Sequence, residues 1–528
     1  MNEEKNAEYF AKQQKEISVS EFFEKNKHLL GFDNPTKALL MIVKEGVDNS
    51  LDACEEAGIL PNIEVKLKNI KNNIFRVSVK DNGPGIVKNQ IPKIFGKLLY
   101  GSKFHRLRQS RGQQGIGISA AVLYAQLTTG NPIKIWSRTS KKSKVHYFEL
   151  FIDSTKNEPE VVKEESIEIK KFPAGHGTLI ELDVSGRYRK SQGVKEYLKE
   201  TAIANPFAKI VFHAPDGEKM VFSRSVDRLP KQPKEINPHP HGIELGVLIR
   251  MLKNTKAKTV ASFLKNEFSS VGTKSANEIC KLAKIKKTLS PKKFTRTDVE
   301  NLLRGMQQVN VQRPPLDCLS PIGSKELKKS LEKHYPDAET IVTLTREPSV
   351  YRGNPFQIEV GIVYGVGKKE SQIKIMRFAN RVPLLYQAGA GAVVEAVKNI
   401  GWKRYGLQQS GNNLPTGPMV LVVHMASSWV PFISESKEAI STYPDIIKEI
   451  KLAVQTCARD LKIFINKKQK AKREEKRLHI FENYFPLILE SASQLAEEEP
   501  NDLKAPMELL LKKIGKKIGE ENDKKSNS

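Results

Sequence analysis

Along residues 36–57, TKALLMIVKEGVDNSLDACEEA, apolar side chains recur at steps of three and four: Leu39, Ile42, Val43, Val47 and Leu51. That spacing puts them on one face of a helix, and Gly58 marks its end. The period then changes to two. Ile63, Val65 and Leu67 alternate with other residues, as do Phe75, Val77 and Val79, and each set predicts a strand. The second strand runs straight into the turn-forming string DNGPGI. Residues 96–119 are rich in Gly, Ser, Lys and Arg and read as a loop feeding a helix at SAAVLYAQL. Further strands are predicted around 133–137, 145–152 and 178–184.

Closely spaced prolines in PKQPKEINPHP, residues 230–240, disfavour helix and sheet alike and predict a linker. Residues 241–310 turn mostly helical, with KTVASFLKNEF, KSANEICKLAKI and RTDVENLLRGMQQV as separate segments. From about 316 to 435 the mixture returns. FQIEVGIVYGV and PMVLVVHMA read as buried strands, and AGAVVEAVKNIGW as a helix packed on them. A long helix is predicted from Pro444, with Ile447, Ile450, Val454, Cys457, Leu461 and Phe464 forming its apolar seam. The seam vanishes in the charged run NKKQKAKREEKR. After a proline-containing break, Met507, Leu510, Leu511, Ile514 and Ile518 predict a short amphipathic helix.

A chain of 528 residues corresponds to about three or four domains. With 39% hydrophobic residues it can build several cores, which excludes a wholly disordered chain. No apolar run approaches the roughly 18 residues of a membrane span. The charged start, MNEEKNAEYFAKQQKE, has no apolar stretch of the secretory type. The four cysteines, Cys54, Cys280, Cys318 and Cys457, form no CxxC pair, so neither a zinc ribbon nor a disulfide framework is indicated. An intracellular, cytoplasmic protein with no membrane partner is expected. Charge narrows the partners: 87 Lys and Arg against 60 Asp and Glu give +27, a field that attracts polyanions such as nucleic acid.

Candidate chemistry concentrates before residue 180. Glu45 and Asn49 stand four apart, on one helix face with Asp48 and Asp52 close by. A carboxylate beside an amide oxygen can activate a water and hold hydrated Mg2+, although such a face can equally be solvated surface. At the strand end, Asp81 can accept a hydrogen bond from an exocyclic amine such as that of adenine, and Gly83 and Gly85 let a flat base approach the backbone. DNGPG alone is also simply a tight turn. Gly112-Gln113-Gln114-Gly115-Ile116-Gly117 opens a helix, where glycine-rich backbone presents N–H donors to phosphate. Its spacing is that of a Walker A loop, but Ile118 replaces the phosphate-binding lysine, which excludes that reading. Thr178, in GHGT before LIELDV, can offer a hydroxyl beside Asp81.

In this order the motifs resemble those of the GHKL ATPase superfamily over about residues 20–225, which implies a Bergerat-fold helix–sheet sandwich with ATP and Mg2+ as cofactors. The resemblance implies that Glu45 is the general base, that Asn49 ligates Mg2+ and that Asp81 reads adenine. Gly83 and Gly85 would line the adenine pocket, with Thr178 assisting. Gly112, Gln113, Gln114, Gly115, Ile116 and Gly117 would form the lid over the phosphates, and Lys97 would join the nucleotide site.

EFFEKNKHLLGFDNPTKALLMIVKEGVDNSLDA, GKLLYGSKFH and RGQQGIGISAAVLYAQLTTG look like the B subunits of type IIB DNA topoisomerases of the topoisomerase VI family. The expected fold class is therefore a multidomain α+β chain. Residues 1–229 would be the ATPase domain with an N-terminal strap, 230–312 a helix–two-turn–helix domain and 313–443 an α/β transducer. Residues 444–528 would be a long lever helix and a tail that docks an A subunit. Implied partners are that A subunit in an A2B2 assembly, a second copy of this chain joined on ATP binding, and double-stranded DNA. The implied function is ATP-driven clamping of one duplex and its passage through a double-strand break made by the A subunit, relaxing and decatenating DNA at the nucleoid. Lys437, in VPFISESKEAI, would reach the γ-phosphate. Trp402, Lys403, Arg404 and Tyr405 resemble a DNA-touching WKxY element, with a core-packed helix end as the other reading. Arg187, Arg189 and Lys190 form a second candidate DNA-facing loop. A MutL-like or chaperone-like ATPase, or a non-catalytic scaffold for a DNA-breaking partner, are the alternatives.

Overall fold

The structure is a computed structural model that describes residues 17–27, 31–101, 107–112, 115–168, 172–190, 192–434, 437–497 and 509. After a short helix α1 (Val19–Lys25), α2 spans Pro35–Glu56. Asn34 caps α2 by accepting the Lys37 N–H at 2.8 Å, and Pro35 supplies a preset φ in its first turn. Strands β1 (Asn62–Lys71) and β2 (Ile74–Lys80) follow as the alternation predicts. Next come α3 (Ile91–Gly96), α4 (Gly117–Thr129), β3 (Ile133–Arg138), β4 (Val145–Asp153), β5 (Glu158–Ile167), β6 (Gly177–Ser185), α5 (Val194–Ala204), β7 (Lys209–His213) and β8 (Lys219–Phe222).

These strands make one eight-stranded sheet in the order β5-β4-β3-β6-β2-β1-β7-β8. Only the β1–β7 pairing is parallel; every other neighbour is antiparallel. One face is buried under α2, α4 and α5, where Leu39, Ile42, Val47, Val77, Val79, Ala121, Leu198 and Ile210 share a core. That is a helix–sheet sandwich, with the apolar seam of α2 against the apolar alternation of the strands.

Residues 230–239 carry no regular secondary structure, in keeping with their prolines. Four helices follow: α6 (Leu245–Asn254), α7 (Val260–Glu267), α8 (Thr273–Leu282) and α9 (Arg296–Gln308). They enclose their own core around Leu248, Phe263, Ile279 and Leu302. Thr295 starts α9 with a capping box to Asp298.

Then α10 (Ser324–His334) precedes a second sheet. It is built from β9 (Thr340–Thr345), β10 (Ser349–Tyr351), β11 (Asn354–Tyr364), β12 (Lys374–Ala379), β13 (Val382–Pro383) and β14 (Met419–Ser427), with α11 (Ala392–Lys398) between the last two strands. β11 lies centrally between β9 or β10 and β14, and β14 pairs parallel with β12. Every residue of β14 is buried, which is why it reads as an unbroken apolar run.

α12 runs from Pro444 to Ala496, passing Pro486 without a break. Its proximal seam is Ile446, Ile450, Val454, Cys457 and Leu461; Ile446 replaces the expected Ile447, which is half-buried, as is Phe464. The amphipathic segment expected at 507–518 lies, apart from Leu509, outside the described residues. The chain forms two compact units, Met1–Ile400 with Ser410–Cys457, and Gly401–Gln409 with Ala458–Ser528. No helix among the described residues is long and apolar enough to cross a membrane.

Candidate functional site

One side of α2 faces a cavity of about 580 Å3 whose lining also comes from β2, α3, the lid before α4, β6 and the loop after β14. Of the expected nucleotide residues, Glu45, Asn49, Asp81, Gly85, Gly112, Gly115, Ile116, Gly117, Thr178 and Lys437 all line it. Gly83 and Lys97 do not. Lys97 is the half-buried residue that ends α3. Gly83 instead donates its N–H to Asp81 Oδ1 at 2.8 Å, so it orients the acid. Gln113 and Gln114 lie outside the described residues.

The acceptor end is built around Asp81. Its Oδ1 also accepts the Thr178 N–H at 3.0 Å, and Oδ2 accepts the Ser50 hydroxyl at 3.0 Å. Burial still pushes its carboxyl above the usual carboxylate range, against those donors. Three fixed donors leave the carboxylate in one orientation, with spare lone pairs for an amine. Gly85 sits at φ 72°, and a β-carbon there would collide with the Arg138 carbonyl. Only glycine closes this turn beside the cavity.

The opposite end is charged. Lys44 lies between Glu45 (3.3 Å) and Asp48 (3.1 Å). Burial opposes its charge, but the two carboxylates outweigh burial and hold the ammonium above its ordinary value. Tyr197 donates to Asp48 at 2.9 Å, leaving Glu45 as the carboxylate that opens on the cavity. Asn49 is exposed there, without a hydrogen-bond partner among the described residues.

Lys437 enters from the loop after β14, in a left-handed conformation with φ 53°. Its ammonium donates to the Arg111 carbonyl at 3.4 Å and has no carboxylate within ion-pair distance among the described residues. Burial, with Lys44 adding repulsion, pushes its pKa below the ordinary lysine value. The neighbouring Glu438 pairs with Lys37 of α2, which also holds Asp33 at 2.9 Å. This pairing fastens the loop to α2.

Sequence reasoning missed Lys44, Ser50, Phe32, Met41 and Tyr100, all of which line the cavity. Ser50 sits one residue after Asn49 on α2, and that proximity was its only signal.

The site's donors can be tested against Mg2+. No group of three His, Cys, Asp or Glu among the described residues could hold a metal unaided. A single unpartnered amide oxygen, with phosphate oxygens and water completing an octahedron, suits Mg2+ and does not suit a protein-caged metal. The residues present therefore fit it.

The candidate DNA residues divide. In the turn Trp402–Tyr405 both aromatic rings are buried, 6.2 Å apart and edge-on, and the Trp402 N–H is held by Gln409. Of the two readings of this string, the burial of both rings favours the core-packed one, and of the four residues only Lys403 and Arg404 face solvent. Arg187, Arg189 and Lys190 are exposed, but Lys190 is paired with Asp216 at 2.9 Å.

Residues 34–156 match the family of histidine kinase-, DNA gyrase B- and HSP90-like ATPases, and residues 314–477 match the transducer of the topoisomerase VI B subunit. The chain is 49% identical over 500 residues to the B subunit of type 2 DNA topoisomerase 6 from Methanococcoides burtonii, covering 94% of this chain and 80% of that relative. It is 48% identical over 491 residues to the counterpart from Archaeoglobus fulgidus, covering 93% and 81%. With that from Methanothermobacter thermautotrophicus it shares 38% identity over 510 residues, 94% of this chain and 95% of the relative.

Proposed function

Since the chain belongs to the family of type 2 DNA topoisomerase 6 B subunits, we propose that it binds and hydrolyses ATP to drive passage of one DNA duplex through another. The observation that carries this reading is Lys437, a half-buried ammonium with no carboxylate pair among the described residues, which opens on the same cavity as Glu45 and Asn49.

Asp81 accepts the adenine amine, and Thr178 stands beside it. The N–H groups of Gly112, Gly115, Ile116 and Gly117, leading into α4, face the phosphates. Asn49 holds Mg2+, which neutralises phosphate charge when bound. Glu45 takes the proton of the water that adds to the γ-phosphorus as the bond to the β–γ bridging oxygen breaks. Lys437 stabilises charge on the departing γ-phosphoryl group and, through its loop, reports its presence to the second sheet.

We divide the chain at 1–229 (ATPase), 230–312 (helix–two-turn–helix), 313–443 (transducer) and 444–528 (lever and docking tail). The partners in this reading are the A subunit in an A2B2 assembly, a second copy of this chain joined by ATP, and duplex DNA contacted by Lys403, Arg404, Arg187 and Arg189. It would act at the nucleoid in the cytoplasm. Nucleotide can close the clamp only by binding its closed state more tightly.

The test is ATP-dependent relaxation of supercoiled plasmid by this chain co-purified with its natural partner. Glu45→Ala is the control: it should bind ATP nearly as well as the wild type and fail to hydrolyse it or relax DNA. Normal hydrolysis by Glu45→Ala overturns the assignment of the base. ATP turnover with no change in DNA topology overturns the topoisomerase reading.

A further inference from the structure

The hairpin turn between β12 and β13 has two residues, Asn380 and Arg381, flanked by the pair Ala379–Val382. Both are left-handed, at φ 49° and 66°. Two-residue turns of this kind favour Asn followed by Gly, so a β-carbon on Arg381 is strained unless its surroundings compensate. They do so on every side. The Arg381 N–H donates to His424 Nε2 at 2.9 Å, and His424 is anchored by Glu359 at 2.7 Å. The Arg381 guanidinium donates to the Ser320 carbonyl at 3.0 Å and pairs with Glu55 of α2 at 2.9 Å. The Asn380 amide donates to the Ser110 carbonyl at 3.0 Å and accepts the Ser427 N–H at 2.9 Å.

The turn thus reaches the segment just before the lid. The other oxygen of Glu55 pairs with Arg111, which also binds Asp52 at 2.7 Å and Asn205 at 2.5 Å. Two buried guanidiniums and two carboxylates balance, which is the arrangement that makes such burial tolerable. Arg111 directly precedes Gly112 of the cavity wall, and its carbonyl is the group that receives Lys437.

We propose that Asn380 and Arg381 are positioning residues: the turn grips Ser110 and, through Glu55, Arg111, and so sets where the lid and Lys437 stand when nucleotide is bound. The inference rests on the ATPase reading above. It makes the turn a second link between the nucleotide and the second sheet, alongside the loop of Lys437. Strain at Arg381 has a use in this role, since the turn is held only while its partners are in place.

The test uses the full chain with Arg381→Lys, which keeps the charge but loses the fork, and Asn380→Gly, which suits the left-handed backbone and deletes only the side-chain interactions. Each is made alone and with Lys437→Ala. ATP affinity, KM, kcat and melting temperature are measured. The expected result is a kcat lowered about tenfold or more with KM within about twofold, and no further drop when Lys437 is already replaced, because the residues act through it. Wild-type kcat in both single variants overturns the inference. So does an equal loss with and without Lys437, or a loss that follows melting temperature. A wild-type chain that neither binds nor hydrolyses ATP overturns the proposed function instead.

Discussion

The carboxylate of Glu45 lies so close to Gly117, the first residue of α4, that a β-carbon on Gly117 would fall on Glu45 Oε2. Gly117 has no positive φ, so backbone freedom is not what requires glycine here. The requirement is room for the carboxylate beside the helix end that closes the phosphate lid. Gly117→Ala should displace Glu45 by about an ångström and lower turnover about 10²-fold, the scale of a misplaced catalytic group. Nucleotide affinity should change much less. Single-turnover hydrolysis alongside equilibrium binding decides it, and undiminished hydrolysis would mean that Glu45 is not the base.

Lys437 is half-buried beside another cation, and its depressed pKa means that the native protein holds its charged form at a cost. A base with a lowered folded pKa costs the fold stability as pH falls from the unfolded value to the folded one, and the full cost is present below the folded value. Lys437→Met removes the charge and keeps the bulk. At pH 7 without nucleotide it should melt higher than the wild type, by about 2–4 °C for each kcal/mol recovered. With ATP present the order should reverse, since the variant has lost a phosphate partner. A variant that melts lower without nucleotide would show that the ammonium already has a stabilising partner.

Glu200 of α5 faces Lys374 of β12 at 3.2 Å, and burial pushes its carboxyl up to about 7 in spite of that lysine. An acid whose folded pKa exceeds its unfolded value contributes stability below the unfolded value, and loses it as pH rises through the folded one. Between about pH 4.5 and 7 the fold should lose roughly 3 kcal/mol from this group. Glu200→Gln cannot ionise. Its melting temperature relative to the wild type should therefore climb between pH 5 and pH 8. A relative melting temperature that falls with pH would mean that the ionised Glu200–Lys374 pair is worth more than the burial it costs.

How much of this was legible in the sequence follows from which patterns carry a period. α2, β1, β2, β11, β14 and α12 announce themselves because one face, or both, is apolar at a fixed spacing. β5 does not: EPEVVKEESI is almost wholly exposed, and it is a strand only because β4 pairs along it. β12, KIMRFA, was hidden by Arg377, which reads as a surface residue yet is buried and donates to the carbonyls of Leu384, Tyr386 and Gln387. In the site, Glu45, Asn49 and Asp81 were visible as polar residues at telling positions. Lys44 was not, because a lysine beside a glutamate on a helix is ordinary surface until packing buries it. The Glu55–Arg381 pair joins residues 326 positions apart and has no local signal at all.

The turn Trp402–Tyr405 separates two roles that the string WKRY runs together. Trp402 is fully buried, so Trp402→Ala should destabilise the unit that contains it by about 3–5 kcal/mol, the usual cost of deleting a buried aromatic. Lys403 and Arg404 are exposed, and their contribution to DNA binding can only be electrostatic attraction to phosphate. Replacing both by Ala should leave melting temperature unchanged and weaken DNA binding equally across sequences. It should also flatten the dependence of log affinity on log salt by about 0.9 for each phosphate no longer neutralised. Binding to a labelled duplex measured over a salt series separates the roles. If Lys403 and Arg404 can be removed with no change in slope, this turn does not touch DNA, and the DNA-facing surface must be sought on the exposed Arg187–Arg189 segment, where Lys190 is already committed to Asp216.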